Sequence, residues 1–159
     1  MRMLLVAALV VSLASPALAD GRHDFDFEIG SWTIAPGGYG HVVRELWSGA
    51  TIAQLIVPGP ARRVRGSLLS LYDPNRRLWH VYWADAKDGS LSKPLTGSFR
   101  NGVGTFTGAD TRDGHPILVR IVYDRITASS FQTIQSESGD NGRRWSDIVK
   151  RSYARVTSH

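Results

Sequence analysis

The polar side chains embedded in otherwise apolar alternating stretches are the first candidates for chemistry. Glu45 alternates with Val43 and Trp47, Arg120 with Leu118 and Val122, and Gln135 with Phe131 and Thr133. Trp83 shares an alternation with Trp79 and Val81. A polar group on a buried face must find a partner or a ligand. If these faces turn inward, Glu45, Trp83, Arg120 and Gln135 become an aromatic cavity with a few orienting polar groups, the composition of a small-molecule site. Glu45 and Arg120 could equally pair with each other, or face water. An acid–base reading of the same cavity would use Glu45, Arg120 or His80.

Other constellations carry less. The segment His23-Asp24-Phe25-Asp26-Phe27-Glu28 alternates, so an extended chain would put Asp24, Asp26 and Glu28 on one face and Phe25, Phe27 and Ile29 on the other. Three carboxylates on one face could take a hard cation. The competing expectation is an edge segment with its acids in water. His41, His80 and His115 fall in separate stretches with no metal-ligand spacing, so neither a metal site nor a cofactor is expected. The chain has no cysteine, which removes thiolate ligands, thiol nucleophiles and disulfides. No G-x-S-x-G, H-E-x-x-H or phosphate loop occurs. Gly102-Val103-Gly104 runs into Thr105-Phe106-Thr107 and reads as a hairpin rather than a dinucleotide fingerprint.

The elements that must position these residues are strands. Gly, Pro, Asn and Asp clusters punctuate the chain, among them Gly37-Gly38, Pro58-Gly59-Pro60, Asp73-Pro74-Asn75, Asn101-Gly102 and Asp113-Gly114. Between them lie short stretches rich in Val, Ile, Thr and aromatic residues. Ten strands are expected near 29–35, 40–48, 51–57, 66–72, 77–84, 91–99, 103–109, 115–124, 130–138 and 144–156, with a short helical turn possible in 124–131. Short connections imply hairpins, and closure would remove exposed edges. The expected fold is all-β, a single closed antiparallel up-and-down barrel of about ten strands, with a sandwich as the second choice.

The first nineteen residues read differently. Arg2, the apolar run from Leu4 to Leu13, Pro16 and Ala17-Leu18-Ala19 form the pattern of a cleavable signal peptide. The apolar core is about ten residues, short of the roughly twenty that span a bilayer. Residues 1–19 are therefore expected to be removed and 20–159 to form one exported domain, periplasmic or extracellular, without a transmembrane segment. The net charge is +5, or +4 once Arg2 is lost, and arginine far outnumbers lysine. That balance suits an anionic small ligand or anionic headgroups; export argues against nucleic acid. Arg62-Arg63-Val64-Arg65 is the densest basic spot.

Ser138-Gly139-Asp140-Asn141-Gly142-Arg143-Arg144-Trp145 nearly matches the Asp-box hairpin S-x-D-x-G-x-T-W, with Arg144 in place of Thr. In such a turn Asp140 caps amides, Gly142 takes the left-handed backbone and Trp145 packs the turn down. Gly30-Ser31-Trp32 opening the first strand, with Arg155 closing the last, resembles the calycin pattern of lipocalins and their relatives. His23–Trp32, Ser70-Leu71-Tyr72-Asp73-Pro74, Gly114–Arg120 and the turn ending at Trp145 resemble the bacterial domain-of-unknown-function family 1579 or a close relative. Val149 departs from that pattern, where a second tryptophan is usual. The resemblance implies a small closed barrel with Gly30, Trp32 and Arg155 as structural residues, and it supplies no reaction. Three functions follow as expectations: a lumen that holds a small apolar or amphipathic ligand, a packed barrel that meets an envelope partner, and an enzyme with a lumen acid–base pair.

Overall fold

A computed structural model describes residues 20–157. The leader expected over 1–19 lies outside the described residues. Two single 3-10 turns, Gly21–His23 and Asp26–Glu28, precede ten strands: β1 Gly30–Ala35, β2 Tyr39–Trp47, β3 Ala50–Ile56, β4 Val64–Asp73, β5 Leu78–Asp85, β6 Leu95–Arg100, β7 Val103–Arg112, β8 His115–Asp124, β9 Ser130–Ser138 and β10 Ser146–Arg155. Each strand pairs antiparallel with its sequence neighbours, and β1 pairs with β10 to close the barrel. The strand expected from residue 91 begins only at Leu95, after Ser92 has folded back on Trp83. Residues 125–129 form a bend held by the Thr127 hydroxyl, which accepts from the Ser129 and Ser130 amides, and no helical turn. Among the described residues no helix is long and apolar enough to cross a membrane.

Barrel diameter grows with strand number, and eight strands already leave an interior that side chains just fill. Ten strands leave more space than their own side chains occupy, and the N-terminal segment fills one end of it. This corrects the extended reading of residues 23–28. In a 3-10 turn residues i and i+3 eclipse one another. Phe25 and Glu28 therefore face the barrel together, at 0% and 2% exposure, and the carboxylates never share a face. Phe25 meets Trp79, Phe99, Phe106 and Tyr123 at ring-centroid distances of 4.8, 5.0, 5.4 and 5.4 Å. Glu28, expected in water, is buried 2.9 Å from His41 Nε2 on β2. The alternation that suggested a strand is real in the sequence, but an extended segment there would leave the end of the barrel open.

The plug is tied down at several points. Trp79 Nε1 donates to the Gly21 carbonyl (3.1 Å) and Trp32 Nε1 to the Glu28 carbonyl (2.7 Å). Arg155 lies with its guanidinium 4.1 Å from the Trp32 ring centre and is opposite Trp32 in the β1–β10 ladder. It donates to the carbonyls of Ile29, Phe27 and Ala128 at 2.8, 2.8 and 2.7 Å. One side chain thus joins the closing strand, the plug and the β8–β9 connection. Gly30 is required beside it: its φ is +130°, and a Cβ there would lie 2.5 Å from the guanidinium. Charge-assisted hydrogen bonds contribute about 1.5–3 kcal/mol each at most. We expect Arg155→Met to lower the free energy of urea unfolding by about 2 kcal/mol, with Arg155→Lys recovering only a fraction because an ammonium lacks the planar fork. An unchanged midpoint for both variants would show that the clamp carries no stability.

At the opposite end the β9–β10 turn is closed by its own side chains. Ser138 Oγ donates to Asp140 Oδ1 (2.8 Å) and accepts from the Gly142 amide (2.8 Å), while Asp140 Oδ1 accepts from the Arg144 amide (2.8 Å). Trp145 Nε1 donates to the Gly142 carbonyl (3.0 Å). The amide bond from Arg144 and the Ser138 hydroxyl hold the Asp140 carboxyl below its ordinary value of 3.8. Its stabilising effect is therefore present above that value and disappears as pH falls through the lowered one. Asp140→Ala is expected to melt below wild type at pH 7, and the gap should close as the pH is taken below 3.8. A gap independent of pH would remove the carboxylate from the account.

Candidate functional site

Strand alternation decides what reaches the lumen. From β4, β5, β8, β9 and β10 the inward positions above the aromatic layer are Leu68, Trp83, Ile121, Gln135 and Arg151. Two connected chambers open there, sharing Leu68, Trp83, Ile121 and Gln135. The first, about 290 Å³, is also lined by His41, Leu55, Arg65, Asp85, Arg151 and Tyr153. The second, about 390 Å³, is bounded chiefly by Val81, Leu95, Ala109, Val119 and Lys93, and leads to the mouth. These volumes are at the lower end of small-molecule sites.

Local sequence devices set the chamber walls. Gly66 faces the lumen, and a Cβ there would lie 2.3 Å from the Trp83 ring, so the indole lies flat across the β4 backbone. Trp83 Nε1 donates to Asp85 Oδ2 (3.1 Å), which fixes the ring. Between β3 and β4 the pairing steps from Leu55 opposite Gly66 to Ile56 opposite Val64, so Arg65 is an extra residue. A bulge re-aims its side chain. Arg65 consequently lines both the first chamber and a groove on the rim.

The electrostatics of the first chamber are unbalanced. Asp85 already accepts from Trp83 Nε1 and from the Lys87 amide (2.8 Å). The Lys87 amide, followed by the Trp83 bond, holds its carboxyl below the ordinary value. His41 is paired with Glu28. Arg151 is half-buried and, among the described residues, has no hydrogen bond or ion pair. Tyr153, two residues along the same face, is pushed up to about 12 by burial, so its phenol stays a proton donor across the physiological range. Its oxygen meets only the Thr133 hydroxyl at 3.5 Å. A guanidinium and a phenol, both able to donate, therefore face the chamber beside Gln135.

The four lumen candidates separate. Trp83 and Gln135 line both chambers. Glu45 and Arg120 line neither, which corrects the lumen placement expected for them. Glu45 is exposed at the closed end, one residue before a bulge that ends the regular part of β2. Arg120 points outward from β8, because its neighbours Val119 and Ile121 take the inward positions, and its guanidinium lies 4.2 Å from the Trp145 ring centre. His80 also faces outward, 3.8 Å from Asp73. The structure therefore does not bring Glu45, Arg120 and His80 together, and the acid–base constellation built on them is not formed. Among the described residues no cluster of His, Asp and Glu has the arrangement of a metal site.

Sequence reasoning passed over Arg151 and Tyr153, and it noted Arg65 only within a basic cluster and His41 only as a histidine without metal-ligand spacing. Arg151 and Tyr153 alternate with Val149 along β10, the same signal that singled out Gln135. Arg65 carried no such signal, because its aim depends on a bulge. No protein-family model matches the chain, and no curated protein sequence matches it.

Proposed function

We propose that this barrel binds one small amphipathic molecule bearing an anionic head, held in the lumen with its head at Arg151 and Tyr153. The observation that carries the reading is the half-buried Arg151 guanidinium with no protein partner, set in a chamber whose carboxylate is already satisfied. The guanidinium nitrogens are not sealed off by protein, so they are open to a group that enters the chamber. An anionic ligand supplies the missing partner, with the Tyr153 phenol and the Gln135 amide as further donors and Arg65 at the entrance. The apolar body would lie against Leu68, Trp83 and Ile121 and extend toward Leu95 and Val81. The volumes favour a molecule of modest length over a large ring system.

The ten-strand closed barrel, with Trp32 and Arg155 against the plug, is consistent with the calycin-like pattern, and we read the chain as a calycin-like carrier. The signal-peptide pattern of residues 1–19 supports an exported location for it.

A matched series tests the function: one medium-length apolar chain bearing a carboxylate, an alcohol or a trimethylammonium group, titrated by calorimetry. The carboxylate is expected to bind at least about tenfold more tightly than the alcohol, the factor that one charge-assisted hydrogen bond supplies. The ammonium should not bind. Equal affinity for all three heads, or no binding of any, would overturn the proposal.

A further inference from the structure

The mouth of the barrel is electrically lopsided. The β3–β4 connection (57–63) and the β5–β6 connection (86–94) are neighbours there, joined by the Ala86 amide bonding to the Arg65 carbonyl (3.0 Å). This half carries Arg62, Arg63, Arg65, Lys87 and Lys93. The acids near it are Asp85 and Asp88, and both are turned into local amide bonds, Asp85 from Lys87 and Asp88 from Ser90. Between the two connections lies a groove of about 510 Å³ lined by Val57, Arg63, Val64, Arg65, Ala86 and Lys87. Apolar side chains stand among the cations: Leu91 is 63% exposed and Val64 38%. Pro58, Pro60 and Ala61 add small apolar surface at the tip.

The other exposed regions do not combine these features. The closed end displays Trp47 and Leu46, but there Arg22, Arg76, Arg77, Arg100 and Arg125 are offset by Asp20, Asp24, Asp26, Asp73, Glu45 and Asp124. The opposite half of the mouth mixes Arg112, Arg143 and Arg144 with Asp110, Asp113, Glu137 and Asp140. Among the described residues, only the β3–β4/β5–β6 half joins an excess of positive charge (five cations against two carboxylates), protruding apolar side chains and a direct opening to the lumen through Arg65.

We infer that this basic half of the mouth docks on an anionic phospholipid surface, with Leu91 and Val64 entering the headgroup layer and Arg62, Arg63 and Lys87 meeting phosphates. Apolar side chains that insert while flanking cations meet anionic lipid are the pattern of interfacial binding. Docked in this way, the lumen opens onto the layer where an amphipathic anion resides. The source of cargo rests on the lumen reading above; the docking itself does not. Because Arg65 lines both rim groove and chamber, an anion leaving the surface meets one guanidinium at the rim and then a second, Arg151, inside.

Sedimentation with vesicles tests the docking. The probes are phosphatidylcholine alone and an equimolar mixture of phosphatidylcholine and phosphatidylglycerol. The protein of residues 20–159 is expected to sediment with the mixed vesicles, to stay in solution with phosphatidylcholine alone, and to be released at about 1 M salt, where the Debye length is about 3 Å. Replacing Arg62, Arg63 and Lys87 together by glutamine should lower partitioning by about 100-fold, taking roughly fivefold per cation near the surface. Arg100→Gln with Arg125→Gln, at the closed end, should leave it within about twofold of wild type. Leu91→Ser should weaken binding without changing its salt dependence. Binding that ignores lipid charge, or survives the triple substitution, overturns the docking. Titrating the soluble carboxylate chain into the triple variant separates the two claims. Normal lumen affinity with lost sedimentation supports both. Lumen binding without vesicle binding by the wild type overturns the docking alone. Vesicle binding without lumen binding overturns the carrier reading alone.

Discussion

Phe25→Ala is expected to remove about 3–5 kcal/mol of stability, the usual cost of truncating a fully buried phenylalanine. The ring is completely buried and makes edge or stacked contacts with Trp79, Phe99, Phe106 and Tyr123. Those partners come from β5, β6, β7 and β8, and Phe99, Phe106 and Tyr123 also meet one another around the ring. The cavity left behind cannot collapse readily, because the surrounding rings are fixed by a closed sheet and Trp79 is further held by its bond to Gly21. In a domain of this size the loss corresponds to a fall in melting temperature of about 10 °C or more. Thermal and urea unfolding of the variant check the value. A loss below about 1 kcal/mol would show that the plug adds little to the core. The comparison with Phe27 sharpens the test, because Phe27 is only partly buried and its truncation should cost less.

Arg151→Leu is expected to have the opposite profile, weakening binding and sparing the fold. Loss of a charge-assisted hydrogen bond in the lumen should lower affinity for the carboxylate chain by about 10- to 100-fold. Affinity for the matching alcohol should stay within about threefold, because its apolar contacts are unchanged. The unliganded variant should be as stable as wild type. The Arg151 guanidinium has no protein bond to lose, and leucine keeps the apolar packing of its stem. Titration calorimetry and urea unfolding of the same preparation read both sides. A large drop in stability with unaltered carboxylate affinity would make Arg151 a structural residue and remove the basis of the proposed head-group site.

How far these residues were legible depends on how local their signals are. Strand positions followed from turn chemistry at Asn101-Gly102 and Asp113-Gly114 and from the β-branched and aromatic runs between them, and the ten strands lie close to those expectations. The turn that ends at Trp145 is legible for the same reason, since Ser138, Asp140 and Gly142 satisfy one another within a few residues. Gln135 and Trp83 were visible as polar or amphipathic members of apolar alternations, and a strand's period of two leaves only the choice of face. For Arg120 that choice went the other way, whereas Glu45 keeps the parity of the buried His41 and Val43 and misses the lumen by its position along the strand. Glu45 lies past the end of the packed interior, and Arg120 is on the outward face of β8, whose inward face is set by its register with Tyr123 and Gly104 at the plugged end.

The sequence by itself determined an all-β chain with ten antiparallel strands, its turns, and the absence of any cysteine chemistry, because each of these rests on residue type and near neighbours. The tertiary structure decided what closes the barrel and what its lumen contains. Residues 23–28 alternate as a strand would, yet the space inside a ten-strand barrel makes burial of Phe25 and Glu28 in 3-10 turns the better solution. Arg65 reaches the lumen only because one extra residue interrupts a ladder. Arg151 is left without a partner only because Asp85 and Glu28 are satisfied by residues far from it in the chain. Such placements depend on register and closure, which are properties of the whole sheet, and no window of sequence carries them.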